Sequence, residues 1–204
     1  YAIATTNGGN ATSVDAILTV RPAPPAIGAQ PANTTVNQGA TATFSVTATG
    51  SALTYQWQKN GTAIAGATTA SYTTPATTGA DDGALFRVVV TNTGGSVTSN
   101  AATLTVIVPP AITTHPAAAT VAAGATATFT VAVSGTSPTF QWQRNGANIT
   151  GAAAASYTTP ATTLADDGAA FRVVVTNAAG STTSDAATLT VASATPPADR
   201  KSVV

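Results

Sequence analysis

Two stretches decide the fold: Tyr55-Gln56-Trp57-Gln58-Lys59-Asn60-Gly61 and, downstream, Asp82-Gly83-Ala84-Leu85-Phe86-Arg87-Val88-Val89-Val90-Thr91-Asn92. In both, large apolar side chains recur at every second position, Tyr55 and Trp57 in the first, Phe86, Val88 and Val90 in the second. A period of two is that of a strand with one buried face. The Asn60-Gly61 pair that ends the first run is a hairpin turn, because both residues tolerate a positive φ. Working outward, Phe44 and Val46 precede this pair of strands and Ala102, Leu104 and Val106 follow it with the same alternation. Their outward partners are mostly Thr, Ser, Gln and Arg, and Thr suits a pleated, solvated face through its branched Cβ. Turn signals at Gln38-Gly39, Asp82-Gly83 and Gly94-Gly95 separate the runs.

The whole pattern is written twice. Shifted by 85 positions, Trp57 falls on Trp142, Tyr72 on Tyr157, Phe86 on Phe171 and Val106 on Val191, with no gap. Roughly two thirds of the positions in 22–106 and 107–191 are identical, so the repeat governs every later reading. Seven or eight short strands in each unit predict an all-β chain of two antiparallel sandwiches, at 21–106 and 107–191.

Both ends differ from the repeats. Residues 1–20 match the closing segment of each unit, 86–106, once one turn residue is dropped, and are expected to be the last hairpin of a truncated preceding domain. An isolated two-stranded hairpin is marginal in water, so this piece is expected to fray or to borrow contacts. Residues 192–204 form a linker and a tail. Pro196-Pro197-Ala198 restarts the pattern of Pro24-Pro25-Ala26 and Pro109-Pro110-Ala111, then gives way to Asp199-Arg200-Lys201-Ser202-Val203-Val204, a hexapeptide that reads like translated sequencing adapter.

Composition removes several function classes. Of 204 residues, only 7% are charged, with seven basic and seven acidic side chains and no net charge. Nucleic acids are held largely by clustered Lys and Arg on phosphate, and here the basic residues are scattered, so no nucleic-acid partner is expected. No apolar run is long enough to insert this segment in a bilayer. With no cysteine there is neither a disulfide, nor thiolate metal ligation, nor a Cys nucleophile.

The strand motifs resemble the tryptophan strand and the Asp-x-Gly…Tyr-x-Cys strand of immunoglobulin domains, in the form of bacterial immunoglobulin-like, I-set-related repeats. Phe140-Gln141-Trp142-Gln143-Arg144-Asn145-Gly146 and Asp167-Gly168-Ala169-Ala170-Phe171-Arg172-Val173 repeat both motifs, so the resemblance covers about residues 22–191. It implies tandem immunoglobulin-like sandwiches with Greek-key connections. It further implies that Val46 with Val88, and Val131 with Val173, stand where the family has its inter-sheet cysteines. A native disulfide typically contributes about 2–4 kcal/mol, which apolar packing must here replace. Phe86 and Phe171 take the place of the family's corner tyrosine.

The expected core is therefore Val46, Trp57, Tyr72, Phe86 and Val88 in the first unit and Val131, Trp142, Tyr157, Phe171 and Val173 in the second. Ten of the eleven aromatics form matched pairs at inward strand positions. None is left over as a platform on which a sugar ring could stack. Asp81-Asp82-Gly83 and Asp166-Asp167-Gly168 are expected to be turns: one Asp accepts backbone N–H bonds and the other is solvated. Adjacent carboxylates point different ways and lack a third acidic ligand, so no metal and no cofactor are expected. Arg87 and Arg172 point outward and are expected to pair with nearby Asp residues. His115, the only histidine, sits opposite Gln30 of the first unit, so a triad would have to be built in one unit alone, and it is expected to be an exposed polar residue rather than a catalytic base.

These readings point away from an enzyme. Only Ile107 and Val108 separate Val106 from the next Pro-Pro, and short stiff linkers of this kind suit an extended spacer or stalk. The resemblance implies an extracellular or cell-surface setting in a larger bacterial protein, with neighbouring immunoglobulin-like domains as partners and a protein or glycan ligand for adhesion. The alternative is a protein- or carbohydrate-binding accessory module of a secreted multidomain enzyme. With few charges to block strand addition at sheet edges, residues 22–191 are expected to self-associate, and light scattering at high concentration checks this: a strictly monomeric species contradicts it.

Overall fold

The structure is a computed structural model that describes residues 3–6, 9–12 and 20–193. The chain opens with β1 (Ile3–Thr6) and β2 (Gly9–Thr12), an antiparallel ribbon in register from Ile3↔Thr12 to Thr6↔Gly9. The rest of the expected terminal hairpin, 13–19, and the adapter-like tail lie outside the described residues.

The first repeat contains β3 (Ala26–Ala29), β4 (Thr34–Asn37), β5 (Thr43–Ser45), β6 (Thr47–Thr49), β7 (Thr54–Lys59), β8 (Thr62–Ala63), β9 (Ser71–Thr73), β10 (Leu85–Asn92), β11 (Gly95–Thr98) and β12 (Ala102–Ile107). The second repeats it as β13 (Ala111–Thr114), β14 (Ala119–Ala122), β15 (Thr128–Thr130), β16 (Ala132–Ser134), β17 (Thr139–Arg144), β18 (Ala147–Asn148), β19 (Ser156–Thr158), β20 (Ala170–Asn177), β21 (Gly180–Thr183) and β22 (Ala187–Ala192). Among the described residues the only helical pieces are two three-residue 3₁₀ turns, Gly79–Asp81 and Leu164–Asp166. The chain is thus all-β, two sandwiches in tandem.

Each sandwich has a large sheet ordered β4-β12-β10-β7-β8, or β14-β22-β20-β17-β18, with β11 or β21 continuing the last course alongside β10 or β20. The facing layer is built from the pairs β3-β6 and β5-β9, or β13-β16 and β15-β19. One pairing departs from the antiparallel pattern: β4 runs parallel to β12, from Thr34↔Leu104 to Asn37↔Ile107, and β14 to β22 likewise. The chain reaches this position by crossing between layers after β3, a step marked by the buried Pro31 and, in the second unit, Pro116. The Asn33 side chain accepts the Thr103 N–H at 2.8 Å beside this parallel pair.

The hairpin after the tryptophan strand has Asn60 at φ 50° and Gly61 at φ 86°, a type I′ turn across Lys59↔Thr62. The Asn60 Oδ1 atom accepts the Leu85 N–H at 2.8 Å, tying the turn to the start of β10. Asn145 does the same for Ala170.

Trp57 and Trp142 are fully buried and set the middle of each core. Trp57 stands opposite Val88 in the ladder, and Trp142 opposite Val173. Around Trp142, Phe129 and Phe171 stack with centroids 4.6 Å apart, Tyr157 stacks on Phe171 at 5.8 Å, and Trp142 lies 6.3–6.4 Å from Tyr157 and Phe129. The first unit matches within a tenth of an ångström or so, Phe44 and Phe86 again being 4.6 Å apart. Val46, Val88, Val131 and Val173 are all buried.

Not every paired aromatic is swallowed. Tyr72, Tyr157, Tyr55 and Phe140 are half-buried. Tyr55 and Phe140 lie near the starts of their strands, and Tyr72 and Tyr157 stack on Phe86 and Phe171. Leu189 is fully buried in the second core. Leu189→Ala is expected to cost about 2–5 kcal/mol, read as a lower urea midpoint, because neighbours close only part of the cavity left behind.

Candidate functional site

The polar side chains gather at the corner that leads into β10 and β20. In the second unit the chain leaves β19, passes Thr159, Pro160 and Ala161, and makes the 3₁₀ turn Leu164–Asp166 before β20. Asp166 closes this turn by accepting the Thr163 N–H at 2.7 Å and the Thr163 hydroxyl at 2.9 Å on Oδ2. Its Oδ1 atom accepts Nη2 of Arg144 at 2.6 Å. Asp167 reaches the last strand instead, accepting the Val191 N–H at 2.8 Å. Asp81 and Asp82 repeat these roles toward Thr78 and Val106. Gly83 and Gly168 follow, both at φ 76°, a left-handed conformation that glycine adopts without strain.

Each corner therefore engages both carboxylates in hydrogen bonds, where a solvated second Asp was expected. The reason is topological: the last strand passes the corner with one N–H facing it, and the second Asp supplies the acceptor. The expected arginine pairing also differs. Arg87 and Arg172 donate through Nε to Gln58 and Gln143 across the ladder, at 2.7 and 2.8 Å, since those residues are their strand partners. The arginine that meets an Asp is Arg144, at the end of β17. The sequence carried a usable signal for it, a basic residue before Asn-Gly in both copies, Lys59 and Arg144.

His115 occupies the place of Gln30. The Gln30 Oε1 atom accepts the Asn100 N–H at 2.8 Å, and His115 Nδ1 accepts the Asp185 N–H at 2.9 Å, with the Asp185 carboxylate 3.3 Å away. Both side chains cap a backbone donor of the last course. Among the described residues no three His, Asp or Glu side chains come together as a metal site would require. No helix among them is long and apolar enough to cross a membrane.

Beside the corner of the second unit lies a cavity of about 110 Å³. Phe171 and Leu189 line it with Pro160 and Ala161, and Arg144 and Tyr157 add polar groups. This space is bounded on one side by Phe171.

The Asp166 carboxyl is held below the usual carboxylate pKa, first by the Thr163 N–H, then by its hydroxyl and by Arg144. A lowered folded pKa stabilises the fold above the unfolded value, and that contribution is lost as pH falls through the folded one. Between neutral and strongly acidic pH, wild type is expected to lose more stability than Asp166→Asn, measured as urea midpoints. Parallel losses in the two proteins contradict this.

The class these features define is an immunoglobulin-like sandwich. Residues 110–191 match the Immunoglobulin I-set domain, and the chain is a tandem of two cysteine-free immunoglobulin-like sandwiches. It is 37% identical over 182 residues to Endoglucanase C of Cellulomonas fimi, covering 83% of this chain and 16% of that protein. It is also 37% identical over 174 residues to the Muscle M-line assembly protein unc-89 of Caenorhabditis elegans, covering 76% of this chain and 2% of that protein. The chain thus spans a small part of either relative. Among solved structures, the I-band fragment I67–I69 of titin superposes with a TM-score of 0.70 at 20% identity, covering 84% of this chain and 66% of the fragment. Rst D1–D2 does so with a TM-score of 0.68 at 16% identity, covering 83% of this chain and all of that one. At such identities these structures speak to fold alone.

Proposed function

We propose that this segment is a non-catalytic spacer or stalk of a larger extracellular or cell-surface protein, with units at 21–106 and 107–191 that carry load between other parts. The observation that supports it most is the parallel pair at one edge of the large sheet in each unit. β4 enters near the start of the first unit and β12 ends it, and because they run in the same direction the chain arrives at one end of the pair and leaves from the other. Tension along the backbone then loads the whole ladder in shear, so that its hydrogen bonds resist together. Gln38 N–H to Ile107 C=O and Ala123 N–H to Ala192 C=O, both 2.9 Å, extend the two ladders by one bond.

A second reading has its own support. The likeness to Endoglucanase C over most of this chain favours an accessory module of a secreted bacterial enzyme, in which the units hold a catalytic domain apart from others or bind a protein or carbohydrate. The adhesive role belongs to the first reading, with a protein or glycan as its ligand. Both readings need units that survive as separate, charge-poor domains outside the cell.

Single-molecule pulling tests the spacer. Stretching the chain is expected to give two discrete unfolding events, and Ala123→Pro, which deletes the donor to Ala192, is expected to lower the force of one and leave the other unchanged. Extension without discrete events, or equal forces in the variant, contradicts load-bearing by this pair.

A further inference from the structure

We infer that the corner cavity of the second unit is a binding site for the acetamido group of an N-acetylated amino sugar. This goes beyond the spacer role and does not depend on it.

The walls define the ligand. The floor is the apolar surface of Phe171 and Leu189, both buried, flanked by Pro160 and Ala161. Two further residues of the lining carry donors. Tyr157 presents a hydroxyl that makes no hydrogen bond with any described residue, while its ring is fixed by stacking on Phe171 at 5.8 Å. Arg144 commits Nη2 to Asp166 at 2.6 Å and keeps further guanidinium N–H donors on a fork oriented by that pair. The charged acceptor of the lining, Asp166, takes three of the roughly four bonds a carboxylate can accept, from Thr163 N–H and the Thr163 hydroxyl on Oδ2 and from Arg144 on Oδ1. A site with an apolar floor, free donors and one remaining acceptor lone pair takes a small apolar body carrying an acceptor oxygen and an N–H. An acetamido group is such a body, its methyl against Phe171 and Leu189 and its carbonyl oxygen toward Tyr157 or Arg144.

Size narrows this further. About 110 Å³ accepts a few heavy atoms and leaves a sugar ring outside. The rim where that ring would rest is polar, with the half-exposed Arg144 side chain and the Asp166 carboxylate. A polyol suits this rim, whereas the methylene chain of an acetylated lysine would need an apolar channel. The first unit carries Lys59 in place of Arg144, a single point donor instead of a planar fork, so its corner is expected to bind more weakly.

The test uses the full chain, with amide and methyl NMR spectra recorded during titration with N-acetylglucosamine, glucose, acetamide or N-acetyl-lysine. N-acetylglucosamine is expected to shift signals of Arg144, Tyr157, Ala161 and Leu189 more than those of their first-unit counterparts, acetamide to shift the same signals more weakly, and glucose to shift none. Tyr157→Phe, which keeps the stacked ring, is expected to weaken binding about fivefold to tenfold, as loss of one hydrogen bond would. Ala161→Leu is expected to abolish it by filling the cavity, with native Trp142 fluorescence showing that the fold persists. Equal shifts with glucose, stronger binding of N-acetyl-lysine, no shift at these residues, or unchanged affinity in both variants overturns the assignment.

Discussion

The clamp on one tryptophan in each unit is the constraint on which the rest depends. Trp57 donates its backbone N–H to Ala67 at 3.0 Å, accepts Ile64 N–H at 2.9 Å, and donates its indole N–H to the Thr69 carbonyl at 3.0 Å. Trp142 is held likewise by Ala152, Ile149 and Ala154. Gln56 and Gln141 reinforce the clamp by donating to the carbonyls of Ile64 and Ile149. The segment between β8 and β9 thus follows the edge of the tryptophan strand before crossing to the other layer. An indole buried this deeply must have its N–H satisfied, and the arrangement satisfies it with backbone.

This clamp explains how the sandwich holds without a covalent link between layers. The four-ring cluster of Phe129, Trp142, Tyr157 and Phe171 draws side chains from β15, β17, β19 and β20, so it ties both layers at one point. Aromatic contacts of this geometry contribute about 0.5–1.5 kcal/mol each beyond their burial, and four such contacts are comparable with one disulfide. Buried hydroxyls close the remaining gaps. Thr74 and Thr159 accept the N–H of Ala42 and Ala127 at 3.0 Å, and Ser99 and Ser184 accept those of Val88 and Val173 at the same distance. No buried side-chain polar atom among the described residues lacks a partner.

The strands were legible in the sequence because their signal is local. Alternation around Trp57 and Phe86, and Asn60-Gly61 between two apolar runs, are properties of short windows, and the second copy confirmed each of them. The parallel pairing of β4 with β12 joins residues some seventy positions apart and leaves no mark in either strand, which is why it was not read. The corner was half legible. Asp-Asp-Gly announces a turn, but which backbone donor each carboxylate meets depends on where the last strand passes. Arg144 and Asp166 lie twenty-two positions apart, and nothing in their local sequence joins them. The copies themselves held the hint, in Lys59 and Arg144 and in Gln30 and His115, where exchange of residue type preserved a task.

Each sandwich builds its core from its own side chains, and the carboxylates of its corner accept its own backbone N–H groups. The account stands or falls on whether both indoles are sealed by that clamp. Tryptophan fluorescence with acrylamide quenching measures this directly, since Trp57 and Trp142 are the only tryptophans. The folded chain should emit at short wavelength and resist quenching until cooperative unfolding releases both rings together. A native spectrum already red-shifted and freely quenched would contradict the account.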